Sequence, residues 1–171
     1  MSIDEIAAEL VSLLRQKNLR IVFAESCTGG LVSATLTKFP GVSDILCGSA
    51  VTYVDEVKSH WLGVDPETIA AKTAVSDDVA RQMAAGVLRK TTVADIAVSI
   101  TGHLGPDAPA EFDGVVFVGF ATRRDTMTAQ VESKRFRLNE SGRASRQIEA
   151  AQTLLRFATE ELKRQISNSS F

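Results

Sequence analysis

Arg20-Ile-Val-Phe-Ala-Glu-Ser-Cys-Thr-Gly-Gly30 decides the fold. Its first part, Arg20 to Glu25, is a short apolar run rich in β-formers and reads as a buried strand. Ser26 to Gly30 is small and turn-prone. Leu31 to Lys38 then reads as a helix, closed by Pro40-Gly41. A strand that empties through glycines into a helix is the opening of an open α/β sheet.

Working outward, the same alternation continues. Upstream, Ser2 can cap a helix with Asp4 and Glu5 in its first turn. Ile3, Ile6, Leu10, Leu13 and Leu14 form its stripe, and Asn18 stands where it should stop. Downstream, residues 45–54 read as a strand, 55–62 as a helix ended by Gly63, and 66–71 as a helical turn. Ser76-Asp-Asp-Val79 predicts a capped helix to about Lys90, and residues 93–100 a second buried strand. Residues 101–113 read as a loop. Residues 115–122 and 128–138 read as two strands joined near Arg123-Arg-Asp125. Ser141 caps a final helix with Ile148, Ala151, Leu155 and Leu162 on one face, and the tail from Ser167 to Phe171 frays. Early alternation followed by two adjacent strands predicts a three-layer α/β/α sandwich with a mixed sheet.

The size fits one domain over residues 1–171, because 171 residues are too few for two separate cores. Apolar residues at 44% and charged residues at 23% exclude a disordered chain and a disulfide scaffold. A net charge of −2 leaves no electrostatic footprint for nucleic acid or an anionic membrane. No apolar run is long enough to span a bilayer, and the acidic, amphipathic start is unlike a secretory signal. Cys27 and Cys47 stand in unrelated contexts, as expected of reduced thiols in a cytoplasmic chain.

Chemistry is expected beyond the carboxyl ends of the strands. Two exits stand out. At Ser26-Cys-Thr-Gly-Gly30 a serine follows a buried strand, and the helix start offers N–H groups to an oxyanion or a phosphate. Gly29 and Gly30 allow close approach of a ligand; the plain alternative is a serine cap with small residues for packing. At Thr101-Gly-His-Leu-Gly-Pro106 adjacent glycines can also present amides, or the segment is simply a long connection. A serine nucleophile needs a base. His103 lies on a candidate loop, His60 on a helix segment. A lysine serves only if desolvation lowers its pKa, and Lys58 qualifies by position alone. Cys27 is the rival nucleophile, or a small buried residue. The two histidines and two cysteines have no metal-ligand spacing.

A resemblance goes further than spacing. Ala24-Glu-Ser-Cys-Thr-Gly-Gly30, Pro40-Gly-Val-Ser43, Thr52-Tyr-Val-Asp-Glu-Val-Lys58 with Leu62-Gly-Val64, Thr101-Gly-His-Leu-Gly-Pro106 and Ser141-Gly-Arg-Ala-Ser-Arg146 together resemble the C-terminal domain of the CinA (competence/damage-inducible protein) family. The resemblance covers nearly the whole chain. Its enzymatically active members are nicotinamide mononucleotide deamidases, so it implies hydrolysis of a nicotinamide carboxamide to a carboxylate and ammonia, without metal or organic cofactor. It also implies a homo-oligomer. On this resemblance the nucleophile falls on Ser26 and the lysine base on Lys58. Tyr53 and Thr101 line or assist the site. Arg143, with Arg146 as second choice, holds substrate. Cys27, Thr28, Gly29, Gly30, Gly102, His103 and Gly105 surround it.

One segment departs from the family. After Gly105-Pro106 the family continues with several glycines. This chain has Asp107-Ala-Pro-Ala-Glu-Phe-Asp-Gly114, and His103 replaces an apolar position. Three carboxylates, at 107, 111 and 113, would oppose a phosphate cradled there. That departure keeps a second class open beside the amide hydrolase: a catalytically weak nucleotide-binding or partner-binding module on the same fold.

Overall fold

The computed structural model describes residues 1–123 and 129–168. Five strands form one sheet in the order β2-β1-β3-β4-β5: β1 (Ile21–Glu25), β2 (Leu46–Val51), β3 (Ile96–Gly102), β4 (Val115–Arg123) and β5 (Ala129–Arg137). β1 pairs in parallel with both β2 and β3, while β4 and β5 are added antiparallel. The mixed sheet is therefore parallel at the end where the site lies.

Alternation along the strands sorts the helices. Ile21 and Phe23 of β1 point into a core shared with α1 (Ile3–Lys17), α2 (Leu31–Leu36) and α6 (Arg143–Asn168). Val22 and Ala24 point the other way, against α3 (Asp55–Leu62) and α5 (Asp77–Lys90), with Ile69 of α4 (Pro66–Lys72) packed alongside. The result is the three-layer sandwich expected from the sequence. Strand β1 is buried on both faces, which is why it reads as an unbroken apolar run.

The helix ends follow the capping residues. Ser2 and Glu5 form a capping box on α1, and Asn18 ends it in the left-handed conformation at φ 55°. Ser76 caps α5. Some boundaries differ from the expected ones. Helix α2 stops at Leu36, and a 3₁₀ turn over Val42–Asp44 was not anticipated. β3 begins at Ile96, because residues 91–94 form a turn closed by the Ala94 amide on the Thr91 carbonyl. It runs on through Thr101 and Gly102, which pair with Phe117 and Val116 of β4 and are strand rather than loop. α6 starts at Arg143, so Gly142, not Ser141, flanks it; the Gly142 carbonyl accepts from the Arg146 amide. Its last turn continues through Asn168. The turn expected near Arg123-Arg-Asp125 and the last three residues of the tail lie outside the described residues. No described helix is long and apolar enough to cross a membrane.

Candidate active site

Three parallel strands end side by side. Glu25 of β1 lies opposite Val51 of β2 and Ile100 of β3. The helix after β1 packs on one face of the sheet and the helices after β2 pack on the other. The crevice between such diverging connections is where open α/β sheets bind ligands. Here it holds a cavity of about 330 Å³. Ser26 comes from the exit of β1, Tyr53, Asp55 and Lys58 from the exit of β2 and the start of α3, and Thr101 to Ala108 from β3 and its exit. Arg143 enters from the first turn of α6.

Ser26 is 7% exposed, and its hydroxyl has no hydrogen-bond partner among the described residues. Its amide donates to the Ile100 carbonyl, extending the β1–β3 ladder by one residue and fixing the serine at the top of the sheet. Lys58 is 2% exposed, and its Nζ donates to the Tyr53 carbonyl at 3.1 Å and to Asp55 Oδ1 at 3.3 Å. A buried cation needs such partners. Asp55 went unnoticed in the sequence, although its i,i+3 spacing from Lys58 places both on one helix face. Tyr53 is 56% exposed, and its hydroxyl accepts from Arg143 Nη2. Arg143 Nη1 donates to the Gly105 carbonyl at 2.7 Å. Thr101 Oγ1 donates to the Ala74 carbonyl at 2.8 Å, pinning the segment before α5 against the site.

Cys27 lines the cavity, but burial pushes its thiol up to about 12. A thiol held that far above neutral pH supplies almost no thiolate, the reactive form, so the rival nucleophile is set aside.

Thr28, Gly29, Gly30 and Arg146 are not on the cavity wall. The reason is a residue that sequence reasoning passed over. Glu25 is fully buried at the end of β1. Its carboxylate accepts from Thr28 Oγ1, from the amides of Gly30, Val32 and Ser33, and from Ser49 Oγ, at 2.8–3.1 Å. The amino end of α2, expected to be open to an oxyanion or phosphate, is thus occupied by the protein's own carboxylate. Gly29 donates to the Ser26 carbonyl. Only the Cys27 and Thr28 amides remain without an acceptor among the described residues. The sequence did carry a signal for Glu25: a charge ending a buried apolar strand must be met by several donors.

Arg146 is engaged elsewhere. It grips Asp113 with both terminal nitrogens, at 2.7 and 2.9 Å, and also donates to the Leu104 and Glu140 carbonyls. Gly105 and Gly114, both at positive φ, make room for that guanidinium; a Cβ on Gly105 would lie 2.9 Å from Arg146 Nη1. Asp113 is accordingly held below the usual carboxylate range, chiefly by its hydrogen bonds to Arg146. Of the three acidic loop residues only Asp107 lines the cavity. His103 lies at the wall with its ring 6.1 Å from that of Phe112. Gln147, also missed, ties α6 to the serine loop by donating to the Thr28 carbonyl at 2.9 Å.

Fold and cavity define an α/β/α domain with a ligand site at the carboxyl ends of its parallel strands. Within that class the model of the CinA C-terminal domain matches residues 3–162, and the chain belongs to this family. It is 44% identical over 129 residues to a CinA-like protein of Chlorobaculum tepidum, covering 74% of this chain and 30% of that protein. It is 41% identical over 158 residues to a CinA-like protein of Mycolicibacterium paratuberculosis, covering 90% and 35%. The chain spans about a third of the length of such curated relatives. Among solved structures it resembles the competence/damage inducible protein CihA from Agrobacterium tumefaciens, with 32% identity, a TM-score of 0.85, and coverage of 94% of this chain and 95% of that one. It also resembles competence damage-inducible protein A (ComA) from Klebsiella pneumoniae, with 29% identity, a TM-score of 0.87, and coverage of 95% and 98%.

Proposed function

We propose that this cavity hydrolyses the primary carboxamide of a nicotinamide nucleotide or a related compound, giving the carboxylate and ammonia. The observation that carries the reading is the unpartnered Ser26 hydroxyl sharing one cavity with the buried Lys58. Membership of the CinA family agrees with it.

Ser26 Oγ attacks the amide carbon while Lys58, as the amine, takes its proton. Asp55 and the Tyr53 carbonyl face the ammonium that forms. The Cys27 amide, on the cavity wall and without an acceptor among the described residues, is the donor left to meet the oxyanion. The C–N bond then breaks and Lys58 returns the proton to the leaving nitrogen as ammonia. Water adds to the acyl-serine, giving its proton to Lys58. The ester bond breaks, the acid leaves, and Ser26 recovers its proton.

The test is ammonia release from a panel of nicotinamide nucleotides and other primary amides. Ser26→Ala should lower kcat by about a thousandfold or more, as removal of a nucleophile does. Lys58→Arg should lose nearly all activity, because guanidinium keeps its charge and cannot accept a proton. An active Ser26→Ala protein would overturn the assignment.

One observation favours a second reading, in which the domain binds a nucleotide or a partner without chemistry. Lys58 Nζ is bonded to Tyr53 and Asp55, not to Ser26. Nucleotide binding by a wild-type protein that releases no ammonia from any amide would establish it.

A further inference from the structure

A trans peptide unit is flat, and its C=O and N–H point in opposite directions. Whatever holds the carbonyl of one residue therefore aims the amide of the next. Two such units lie in series between α6 and the cavity. Gln147 Nε2 donates to the Thr28 carbonyl at 2.9 Å. The amide in that same unit belongs to Gly29, and it donates to the Ser26 carbonyl at 3.0 Å. The amide in the unit of the Ser26 carbonyl belongs to Cys27, which lines the cavity and is buried. That amide has no acceptor among the described residues. A buried N–H without a partner is rare, and the open space beside this one is the cavity.

Both ends of the series are fastened. The Ser26 amide is fixed on the Ile100 carbonyl, and the Thr28 hydroxyl on the Glu25 carboxylate. Gly29 turns the chain back at φ 61°, which glycine adopts without strain, and a Cβ there would stand 3.4 Å from Gln147 Nε2. The Leu31 amide also reaches the Thr28 carbonyl, at 3.2 Å, so Gln147 adds a second donor from a different element. A carbonyl only accepts, so it is the amide nitrogen of Gln147 that faces Thr28. Arg143, which lines the cavity, stands four residues earlier on the same face of α6. Hydrogen bonds joined head to tail polarise one another, so the last donor in the series is strengthened as well as aimed.

We infer that Gln147 is a positioning residue: acting through two peptide units, it aims the Cys27 N–H into the cavity and strengthens it as an oxyanion donor. Its effect on rate rests on the hydrolase reading above; its effect on the Cys27 amide does not.

The experiment uses Gln147→Met and Gln147→Glu, which keep side-chain length and helix propensity but remove the amide donor. Wild type and both variants are compared by two readouts. The first is the proton–nitrogen correlation spectrum with amide hydrogen exchange. The Cys27 and Gly29 signals should shift, and exchange at Gly29 should speed up by about three- to tenfold. The amides of Leu154 and Leu155, buried in the middle of α6, should keep wild-type rates. The second readout is ammonia release from the amide panel. Here kcat should fall by about ten- to thirtyfold, less than for outright loss of an oxyanion donor, with KM changed by less than about twofold. Unmoved Cys27 and Gly29 signals overturn the inference whatever the rates. Faster exchange along the whole of α6 in both variants overturns it, since Gln147 then holds the helix rather than the loop. A loss carried by KM overturns it too, because it assigns Gln147 to ligand binding or to the seating of Arg143. So does kcat within about twofold of wild type in both variants. If wild type releases no ammonia from any amide, the hydrolase reading fails by itself and the spectra alone decide: shifts confined to the serine loop support the inference, and unmoved signals overturn it.

Discussion

Two loops shape the cavity, and they are held in opposite ways. From Glu25 to Ser33 the chain satisfies itself: the Glu25 carboxylate takes donors three to eight residues further on, plus the Ser49 hydroxyl. From Leu104 to Gly114 the chain is held from outside. Arg143 and Arg146 of α6 and Arg135 and Arg137 of β5 reach its carbonyls across 24 to 42 residues. The first loop is a buried, fully paired anion inside the sheet. The second is a surface strap fastened by arginines. A buried charge that loses its partners, or donors that lose their charge, costs far more than an exposed pair does. The loop that places the proposed nucleophile should therefore be the stiff one, and the loop that meets the rest of the ligand the adjustable one.

Breaking the first loop gives the largest effect. Glu25→Ala strands two hydroxyls and three amides in the interior and should destabilise the fold by about 3–5 kcal/mol. Urea unfolding followed by circular dichroism measures it. Glu25→Gln keeps one acceptor oxygen and should lose less. Similar urea midpoints for wild type and Glu25→Ala would mean that the carboxylate does not hold the end of α2.

The matching change in the second loop is Gly105→Ala. The new Cβ meets Arg146 and Asp113 at 2.9 Å, and φ 69° disfavours a side chain by about 1–2 kcal/mol. The strap, rather than the sheet, should yield. We expect a raised KM in the amide assay and faster hydrogen exchange at the Gly114 amide, with the urea midpoint little changed. A collapse of global stability equal to that of Glu25→Ala would erase the contrast between the loops.

The same contrast explains what was legible in the sequence. Helix α3 and the capped ends of α1 and α5 were readable because their signals are local: Ser2 with Glu5, Asn18, Gly63, Ser76. The exits of β1 and β3 were readable as candidate loops, and with them Ser26, Thr101 and His103. The loop fastenings were not. Nothing near Asp113 in the chain points to Arg146, 33 residues away, and nothing near Thr28 points to Gln147. Such pairs exist only once α6 has packed across the sheet. For the same reason Arg143 and Arg146 could not be separated by sequence: they are three residues apart, yet one faces the cavity and the other grips the strap.

A pH titration sharpens the comparison at the strap. Asp113 is held below its ordinary pKa by Arg146, so its folded carboxylate binds protons less readily than the unfolded one. The sign follows from linkage. The contribution is fully present above the unfolded value near about 4 and is lost as pH falls through the lower folded value. The Leu104–Gly114 strap should keep its exchange protection from neutral pH down to about 4 and lose it only in stronger acid. In Asp113→Asn that protection should already be reduced at neutral pH. A strap that loosens in wild type well above pH ~5 would show that some other group fastens it.

The smallest effect belongs to the thiols. Burial pushes Cys27 up to about 12. Cys47 is also raised by burial, but it lies on the edge strand β2 and is only half-buried. Both thiols are therefore poor nucleophiles at neutral pH, and access decides which reacts first. A maleimide or disulfide reagent should modify Cys47 well before Cys27, with the second modification waiting on opening of the serine loop. Because that loop is held by Glu25, Glu25→Ala should speed labelling of Cys27 far more than of Cys47, while Gly105→Ala should leave both rates near wild type. Cys27→Ala should cost at most a small loss of ammonia release, since its amide, not its sulfur, is what the proposed chemistry uses. Rapid labelling of Cys27 in the native protein, accompanied by loss of activity that Cys27→Ala reproduces, would place the reactive group one residue along the same loop and return Ser26 to a packing role.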